Sequence, residues 1–201
     1  MNPQTVVDKL SEKYKSLIWN SYPLPKAYIG NDHIKAIILG ADPTHIVNKV
    51  PVHITKVFDL DNPNSPYWRG ICRNMQMING LSINNVHVEN VCKNYFTTET
   101  SKNKYWVKIA RENWIPFLKE ELDKRYSSEV PVLITTEFIL NAITIESKTT
   151  IPASTIYKEC LVIKGELNLL NRDIIAFYRH PYYSLKRWPE YSKFISNRLS
   201  K

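Results

Sequence analysis

Three polar side chains with complementary chemistry each follow a short apolar run, although they lie far apart in the chain. Asp42 comes just after the run that ends in Gly40, Asn90 closes a second run, and His180 follows a third. A carboxylate stabilises a neighbouring cation or orients a water molecule, an imidazole donates to a developing oxyanion, and an amide both donates and accepts. One strand end thus offers a carboxylate, one an amide and one an imidazole to the same ligand.

The elements that must position these groups alternate between strand and helix. Apolar patterns predict strands over 34–39, 85–92, 130–135 and 173–178. They predict helices over 3–18, 67–78, 104–122, 136–143 and 189–199, with a kink at Pro116 inside the third of these. The 145–168 stretch is ambiguous, and we expect a short strand within 155–163.

Strands separated by helices imply a parallel sheet covered on both faces. We therefore predict an α/β fold, a three-layer αβα arrangement with a central, mainly parallel four-stranded sheet, formed by one domain over 1–201. Ligands of such sheets bind beyond the carboxyl ends of the strands. Asp42, Asn90 and His180 should therefore meet at one edge of the sheet.

The charge balance favours a polyanionic partner without deciding it. Lysine and arginine outnumber aspartate and glutamate by 27 to 19, for a net charge of +8. From Arg172 onward seven basic residues face two acidic ones, Asp173 and Glu190. A one-sided basic surface attracts nucleic acid, but a solvated helix face has the same composition.

Other classes of protein find little support in the sequence. It has no Gly-rich phosphate loop, no GxGxxG, no HExxH and no GxSxG, and His45 and His53 lack an evident third metal ligand. The three cysteines are scattered, which argues against disulfides and structural zinc. The apolar runs are too short to span a bilayer, and 1–15 lacks the apolar run of a signal peptide, so we expect a cytoplasmic protein without membrane contact.

Motifs at the strand ends carry a resemblance to a known family. Gly-Ala-Asp-Pro-Thr-His at 40–45 resembles the Gly-Gln-Asp-Pro-Tyr-His motif of uracil-DNA glycosylases, which also follows the first strand. His180-Pro181 followed by Leu185 is similar to their C-terminal His-Pro-Ser-Pro-Leu motif. The 89–93 segment resembles the Thr-Asn-Val-Val-Lys of other branches of the superfamily, in which the asparagine reads the base edge.

Three further positions agree with the family in order and spacing. Phe58 lies where the family has the aromatic side chain that stacks on uracil. Ser65 falls in the family's proline-rich DNA-contacting loop, and Thr135 falls at its Gly-Ser loop on the DNA backbone. Each residue alone also fits a purely structural role, and it is their common order that gives the resemblance its weight.

The resemblance implies a base-excision-repair glycosylase that hydrolyses the N-glycosidic bond of a flipped uracil or related damaged base. It implies Asp42 and His180 as catalytic residues. It implies a base pocket formed by Gly40, Ala41, Thr44, Phe58 and Asn90, and DNA contacts from Ser65, Thr135, Tyr182, Tyr183, Leu185, Lys186 and Arg187. The expected partner is single- or double-stranded DNA bound by a monomer, with no metal and no organic cofactor.

Departures from the family motifs keep several alternatives open. Thr44 replaces the tyrosine that helps to exclude the thymine methyl group, and Tyr182 replaces a phosphate-contacting serine. Leu185, the expected wedge into the DNA stack, stands one place late, so that Tyr182 or Tyr183 is an alternative wedge. The alternatives are a glycosylase for mismatched thymine or hypoxanthine, a non-catalytic damaged-DNA-binding protein of the same fold, and an unrelated parallel α/β protein whose basic tail binds RNA or acidic proteins.

Overall fold

A computed structural model describes residues 2–145 and 151–200 of the chain. The fold is mixed α/β, with a central, mostly parallel sheet flanked by helices. The helices are α1 Pro3–Lys13, α2 Pro66–Met75, α3 Trp106–Ile109, α4 Ile115–Arg125, α5 Glu137–Ile143, α6 Ala153–Glu159 and α7 Pro189–Leu199. The strands are β1 Ile18–Trp19, β2 Tyr28–Ile29, β3 Ala36–Gly40, β4 Ile46–Val47, β5 Val50–Pro51, β6 Val86–Asn90, β7 Tyr95–Phe96, β8 Val132–Ile134, β9 Val162–Ile163 and β10 Ile174–Ala176.

The central sheet has six strands in the order β2-β6-β3-β8-β10-β9, so the prediction of four strands was too low. The four predicted strands are its parallel centre, β6, β3, β8 and β10. The two further strands, β2, which was not predicted, and β9, which lies within the short strand expected over 155–163, are antiparallel edges of two residues each. A strand as short as β2 carries too little apolar alternation to be recognised in a sequence.

Two predicted elements differ in type or length from those in the structure. The short strand expected within 155–163 is present as β9, at the end of that range, whereas the residues before it form helix α6, which buries Ala153, Ile156 and Tyr157. Cys160 ends that helix with a left-handed φ of 52°. The first helix ends at Lys13, because the residues beyond a turn at Tyr14 form β1 and pair with β7.

Pro116 is accommodated by a change of helix type. The helix that begins at Trp106 passes through a π-helical turn at 110–114, in which the Ile115 N–H donates to the Ala110 carbonyl, five residues earlier. Pro116 then lies in the first turn of α4, a position at which a helix tolerates proline. The predicted kink is therefore a wider helical turn just before the proline.

The strands of the parallel centre are buried on both faces, and every residue of β3 and β6 is buried. Arg172, which the sequence placed in the basic tail, lies in the interior. Its guanidinium donates to the Asp123 carboxylate at 2.9 Å and to the Tyr126 carbonyl at 2.8 Å, at the end of α4. A second tail residue, Arg198, forms an ion pair with Asp173. Both charges therefore already have partners in the protein itself, and the tail has fewer free positive charges than its sequence suggests.

Within 2–145 and 151–200, no helix combines the length and the apolar character needed to cross a membrane.

Candidate functional site

A cavity of about 500 Å³ opens at the carboxyl ends of β3, β6 and β8. This volume falls in the range of small-molecule pockets. All the residues predicted for the base pocket line this cavity: Gly40, Ala41, Thr44, Phe58 and Asn90. Asp42, Ser65 and Thr135 line it as well. The parallel register explains the convergence of β3 and β6, since Gly40 is paired with Asn90 at the ends of the two strands.

Gly40 allows Asn90 and Phe58 to approach each other. A Cβ atom at Gly40 would lie 2.3 Å from Asn90 Oδ1 and 2.6 Å from Phe58 Cζ, distances that no side chain tolerates. Asn90 is only 3% exposed, and its side-chain amide has no hydrogen-bond partner among the described residues. A buried amide left in this state is available to a ligand in the cavity.

Phe58 presents its ring from a backbone in the left-handed region. Its φ and ψ are 58° and 14°, and Asp59 follows with a φ of 56°. Each such residue costs on the order of 1–3 kcal/mol, and such costs concentrate at functional sites. The buried Ser65 hydroxyl donates to the Phe58 carbonyl at 2.9 Å and also caps α2 at the Trp68 N–H. Ser65 therefore fixes the backbone that carries the Phe58 ring. Its hydroxyl is buried and is not available for the predicted contact with DNA.

Both carboxylate oxygens of Asp42 accept a hydrogen bond. The Thr44 N–H donates to Oδ1 at 2.8 Å, and the Thr100 hydroxyl donates to Oδ2 at 2.5 Å. Although Asp42 keeps some surface toward the cavity, burial of its carboxyl raises the pKa, and the hydrogen bonds from Thr100 and Thr44 lower it in part. Burial also raises the pKa of the Cys92 thiol nearby, with a further contribution from the charge of Asp42. Cys92 is therefore a neutral neighbour of this carboxylate.

The Thr44 hydroxyl oxygen is bonded within the protein. Thr44 Oγ1 accepts from the Phe96 N–H at 2.9 Å, which ties the motif after β3 to β7. The residue still lines the cavity, where it leaves more room than the tyrosine of the family motif.

His180 lies outside the cavity lining. It is exposed, and its Nδ1 accepts from the Tyr182 N–H at 3.2 Å in a single helical turn over 181–183. With Nδ1 as the acceptor, a neutral ring carries its proton on Nε2. The structure thus brings Asp42 and Asn90 together and leaves His180 beyond the lining, whereas its neighbour Arg179 lines the cavity.

The residues predicted to contact DNA separate into exposed and buried groups. Leu185 is 0% exposed and its N–H donates to Asn74 Oδ1, so the expected leucine wedge is wrong: the side chain belongs to the core. Tyr182 is 51% exposed, and Lys186 and Arg187 are exposed beside it. Tyr183 is only partly exposed, since it packs against aromatic rings that include Tyr157 and Tyr178. Thr135 is buried, and its hydroxyl donates to the Leu39 carbonyl at 2.9 Å.

Sequence reasoning missed three residues of the cavity that have clear roles in its geometry. Thr100 holds Asp42, and the Arg179 guanidinium lies 4.2 Å from the centre of the Tyr67 ring. The Tyr67 hydroxyl is 3.1 Å from His45 Nδ1. The position of Arg179 beside a strand end and that of Tyr67 directly after Ser65 and Pro66 were usable signals, whereas Thr100 lies in a segment that no motif marks.

Among residues 2–145 and 151–200, no three histidine, cysteine, aspartate or glutamate side chains are grouped so as to hold a metal ion. Comparison of the chain with models of protein families, with curated proteins and with solved structures found no match. The case for a function therefore depends on the geometry of the cavity itself.

Proposed function

We propose that this protein is a DNA glycosylase similar to uracil-DNA glycosylases, which hydrolyses the N-glycosidic bond of a flipped uracil or a related damaged base. The observation that carries the proposal is the convergence of Asp42, Asn90 and Phe58 on one cavity at the strand ends. The proposal includes the three-layer αβα arrangement of that superfamily, a cytoplasmic monomer and DNA as the partner.

The cavity offers a flipped base a ring to stack on and an amide to read it. Stacking on an aromatic side chain such as Phe58 is worth about 1–3 kcal/mol per base, which offsets much of the cost of unstacking. The unpartnered Asn90 amide can accept from a base N–H and donate to the adjacent carbonyl. Uracil and thymine present that pair of groups, and cytosine does not.

Asp42 supplies the negative charge that the reaction requires. As the glycosidic bond breaks, the sugar becomes cationic, and an ionised carboxylate stabilises it and orients the attacking water. The hydrogen bonds from Thr44 and Thr100 fix the carboxylate and leave it free lone pairs for that water. Because burial raises the Asp42 pKa, the rate should fall as the pH decreases through that raised value.

His180 contributes to this mechanism only if its segment approaches the base. Its Nε2 proton is a suitable donor to the departing base oxygen, and catalytic hydrogen bonds often form only in the substrate complex. The exposed Tyr182 next to it is the residue through which DNA would draw the segment inward. Under the proposal, Tyr182 takes the place of the leucine wedge, and Lys186 and Arg187 hold the phosphates.

The position of His180 also favours a second candidate, a non-catalytic protein that binds damaged DNA in the same cavity. A binding module needs Phe58 and Asn90 but no imidazole on the base oxygen. The small Thr44 favours a related variant of the first proposal, in which thymine from a mismatch is accepted because its methyl group meets no tyrosine at position 44.

One assay separates these candidates. Oligonucleotides that each contain one uracil, hypoxanthine or mismatched thymine are incubated with the protein and then tested for abasic sites. Asp42→Asn should lower the rate of base release by on the order of 100- to 1,000-fold and leave the dissociation constant for the same strand nearly unchanged. Full activity of the variant would refute the role of Asp42. Tight binding without base release by the native protein would favour the non-catalytic candidate.

A further inference from the structure

The Arg179 guanidinium lines the cavity without a carboxylate partner. The three carboxylates of the lining have partners elsewhere: Asp42 accepts from Thr100, Asp59 from Asn62 Nδ2 at 2.8 Å, and Glu99 lies 3.7 Å from Lys102. Arg179 forms no ion pair with any carboxylate in the part of the chain that the structure describes. An arginine in this position is a cation that an anion from outside the protein can pair with.

The guanidinium is held in place before any ligand arrives. It stacks on the Tyr67 ring at 4.2 Å from its centre, and Tyr67 is anchored in α2 and bonded through its hydroxyl to His45 Nδ1 at 3.1 Å. The Arg179 N–H donates to the Thr135 carbonyl at 3.3 Å, which fixes the backbone beside the end of β8. A preorganised side chain loses little conformational entropy on binding.

Although the Arg179 side chain is exposed overall, its place at the edge of the cavity removes part of its water and strengthens its attraction for an anion. Loss of water lowers the pKa of the Arg179 guanidinium, yet arginine stays charged in proteins. A partly desolvated charge interacts more strongly than one in bulk water. The planar fork of donors matches two oxygens of a phosphate group at once, which the point charge of a lysine does not.

We propose that Arg179, positioned by Tyr67, binds the phosphate group of a nucleotide whose base lies in the cavity against Phe58 and Asn90. The identity of the base in this subsite rests on the proposed function. The subsite adds to that function the residue that binds the phosphate next to the base. The phosphate belongs either to the backbone of a DNA strand or to a free nucleoside monophosphate. Both present the same oxygens to the guanidinium, so two measurements are needed to tell them apart.

The first measurement follows the arginine side-chain N–H signals by NMR during titration with deoxyuridine or with deoxyuridine 5′-monophosphate. The Arg179 signal is assigned by its loss in Arg179→Gln. We expect the monophosphate to shift that signal and to bind about tenfold or more tightly than the nucleoside, and the preference to disappear in Arg179→Gln. Arg179→Lys should recover only part of it. Tyr67→Phe, which keeps the ring but loses the bond to His45, should give an intermediate value.

The second measurement uses oligonucleotides with one deoxyuridine, in which each neighbouring phosphate is replaced in turn by a neutral methylphosphonate. Binding is measured with the Asp42→Asn protein to prevent base release. One neutral linkage should weaken binding about tenfold when Arg179 is present and not at all when Arg179→Gln is added.

The two arms identify the source of the phosphate. An Arg179-dependent effect in the oligonucleotide identifies a DNA backbone, and an effect with the mononucleotide alone identifies a free nucleotide. If Arg179→Gln changes neither the preference for the monophosphate in the first arm nor the effect of the neutral linkage in the second, the inference is overturned. Base release, measured separately, tests the glycosylase proposal: a phosphate effect without base release refutes only the enzyme, and base release without a phosphate effect refutes only the subsite.

Discussion

At the scale of single residues, the proposed reaction depends on whether the Asp42 carboxylate stays ionised although it is desolvated. Asp42 is desolvated, which disfavours its charge, and it accepts two hydrogen bonds, which favour it. The Thr44 backbone N–H donates a hydrogen bond that a change of side chain does not remove, although the Thr44 side chain also lowers the Asp42 pKa. Thr100 donates through its hydroxyl, so it is the residue through which the charge of Asp42 can be adjusted by mutation.

Thr100→Val should lower base release about tenfold at neutral pH and move the acidic limb of the rate profile to higher pH. The valine has the same shape but cannot donate, so the pKa of Asp42 rises further above the usual carboxyl range, and the ionised form is lost sooner as the pH falls. Thr100→Ser keeps the donor and should restore both the rate and the profile. A profile of Thr100→Val that coincides with that of the native protein would show that Thr100 does not act through Asp42.

At the scale of elements, the end of β3 shows why a glycine is needed at that place. Gly40 faces Asn90 on the neighbouring strand and the Phe58 ring from the loop, and no room remains for a Cβ atom. By contrast, a Cβ atom at Gly70, in α2, would meet the Arg179 backbone oxygen at 3.6 Å, an ordinary contact. The two glycines therefore have different physical roles, and they form a matched pair for mutation.

Gly40→Ala should reduce base release on the order of 100-fold, because displacement of a contact group by about an ångström has an effect of that size. Gly70→Ala should leave the rate intact and stabilise the protein by up to about 1 kcal/mol, since alanine favours a helix interior. Rates and thermal unfolding measured together distinguish the two. Full activity of Gly40→Ala would mean that the Asn90 and Phe58 positions are not those used by the substrate.

On strand β6, His87 points into the interior and pairs with no hydrogen-bonding group. It is 4% exposed, both of its ring nitrogens lack partners among the described residues, and the Tyr126 ring centre lies 5.5 Å away. Burial, followed by the positive charges of Arg125 and Lys93, lowers its pKa to about 4. The unfolded chain therefore binds this proton more tightly than the folded one, and stability is lost as the pH falls from about 6.5 through about 4.

His87→Leu should remove this proton uptake, so that the variant loses about 2 kcal/mol less stability than the native protein between pH 7 and pH 4.5. Urea unfolding at the two pH values measures the difference. His33→Leu is a suitable control, because His33 is exposed and its replacement should leave the pH dependence unchanged. A native and a His87→Leu protein with the same pH dependence would contradict a buried, neutral His87.

The edge strands of the sheet and helix α6 show the limits of predicting secondary structure from local sequence patterns. The four parallel strands were recognisable because each is a short apolar run bounded by turn residues, and all four lie where predicted. The two-residue edges β2 and β9 pair only because a neighbouring strand offers its free backbone groups. Helix α6 was not recognised within the ambiguous 145–168 stretch, because within seven residues apolar positions do not separate the helical from the strand periodicity.

At the scale of the whole molecule, charge is distributed less simply than the composition suggests. Two tail arginines are engaged inside the fold: Arg172 clamps the end of α4, and Arg198 pairs with Asp173. Lys186 and Arg187 are exposed beside the exposed Tyr182, near the segment that contains His180. Besides Arg179 in the cavity, these two residues are the tail cations to which we assign contact with a phosphate backbone.

Replacement of Lys186 and Arg187 by glutamine should weaken DNA binding uniformly across sequences. Each lost phosphate contact should reduce the slope of log binding constant against log salt by about 0.9 for duplex DNA and about 0.7 for a single strand. Titrations at several salt concentrations measure this slope. An Arg198→Gln variant serves as a control, since that charge is already paired. An unchanged slope after the double replacement would place the DNA elsewhere on the protein.

The sequence by itself determined the parallel centre of the sheet and the meeting of Asp42 with Asn90. Both follow from local information, because apolar runs define the strands, and parallel strands present their carboxyl ends on one side. Gly40, Phe58 and Thr44 followed from the same motifs, and all three line the cavity.

Only the tertiary structure decided which polar groups reach the cavity and which are used elsewhere. Leu185 is in the core, the Ser65 and Thr135 hydroxyls bond to the backbone, and His180 lies outside the lining, whereas Thr100 and Arg179 act within it. These outcomes depend on side-chain directions and on contacts between segments that are distant in the chain. Packing of the whole molecule sets such contacts, and no local pattern of residue types records them.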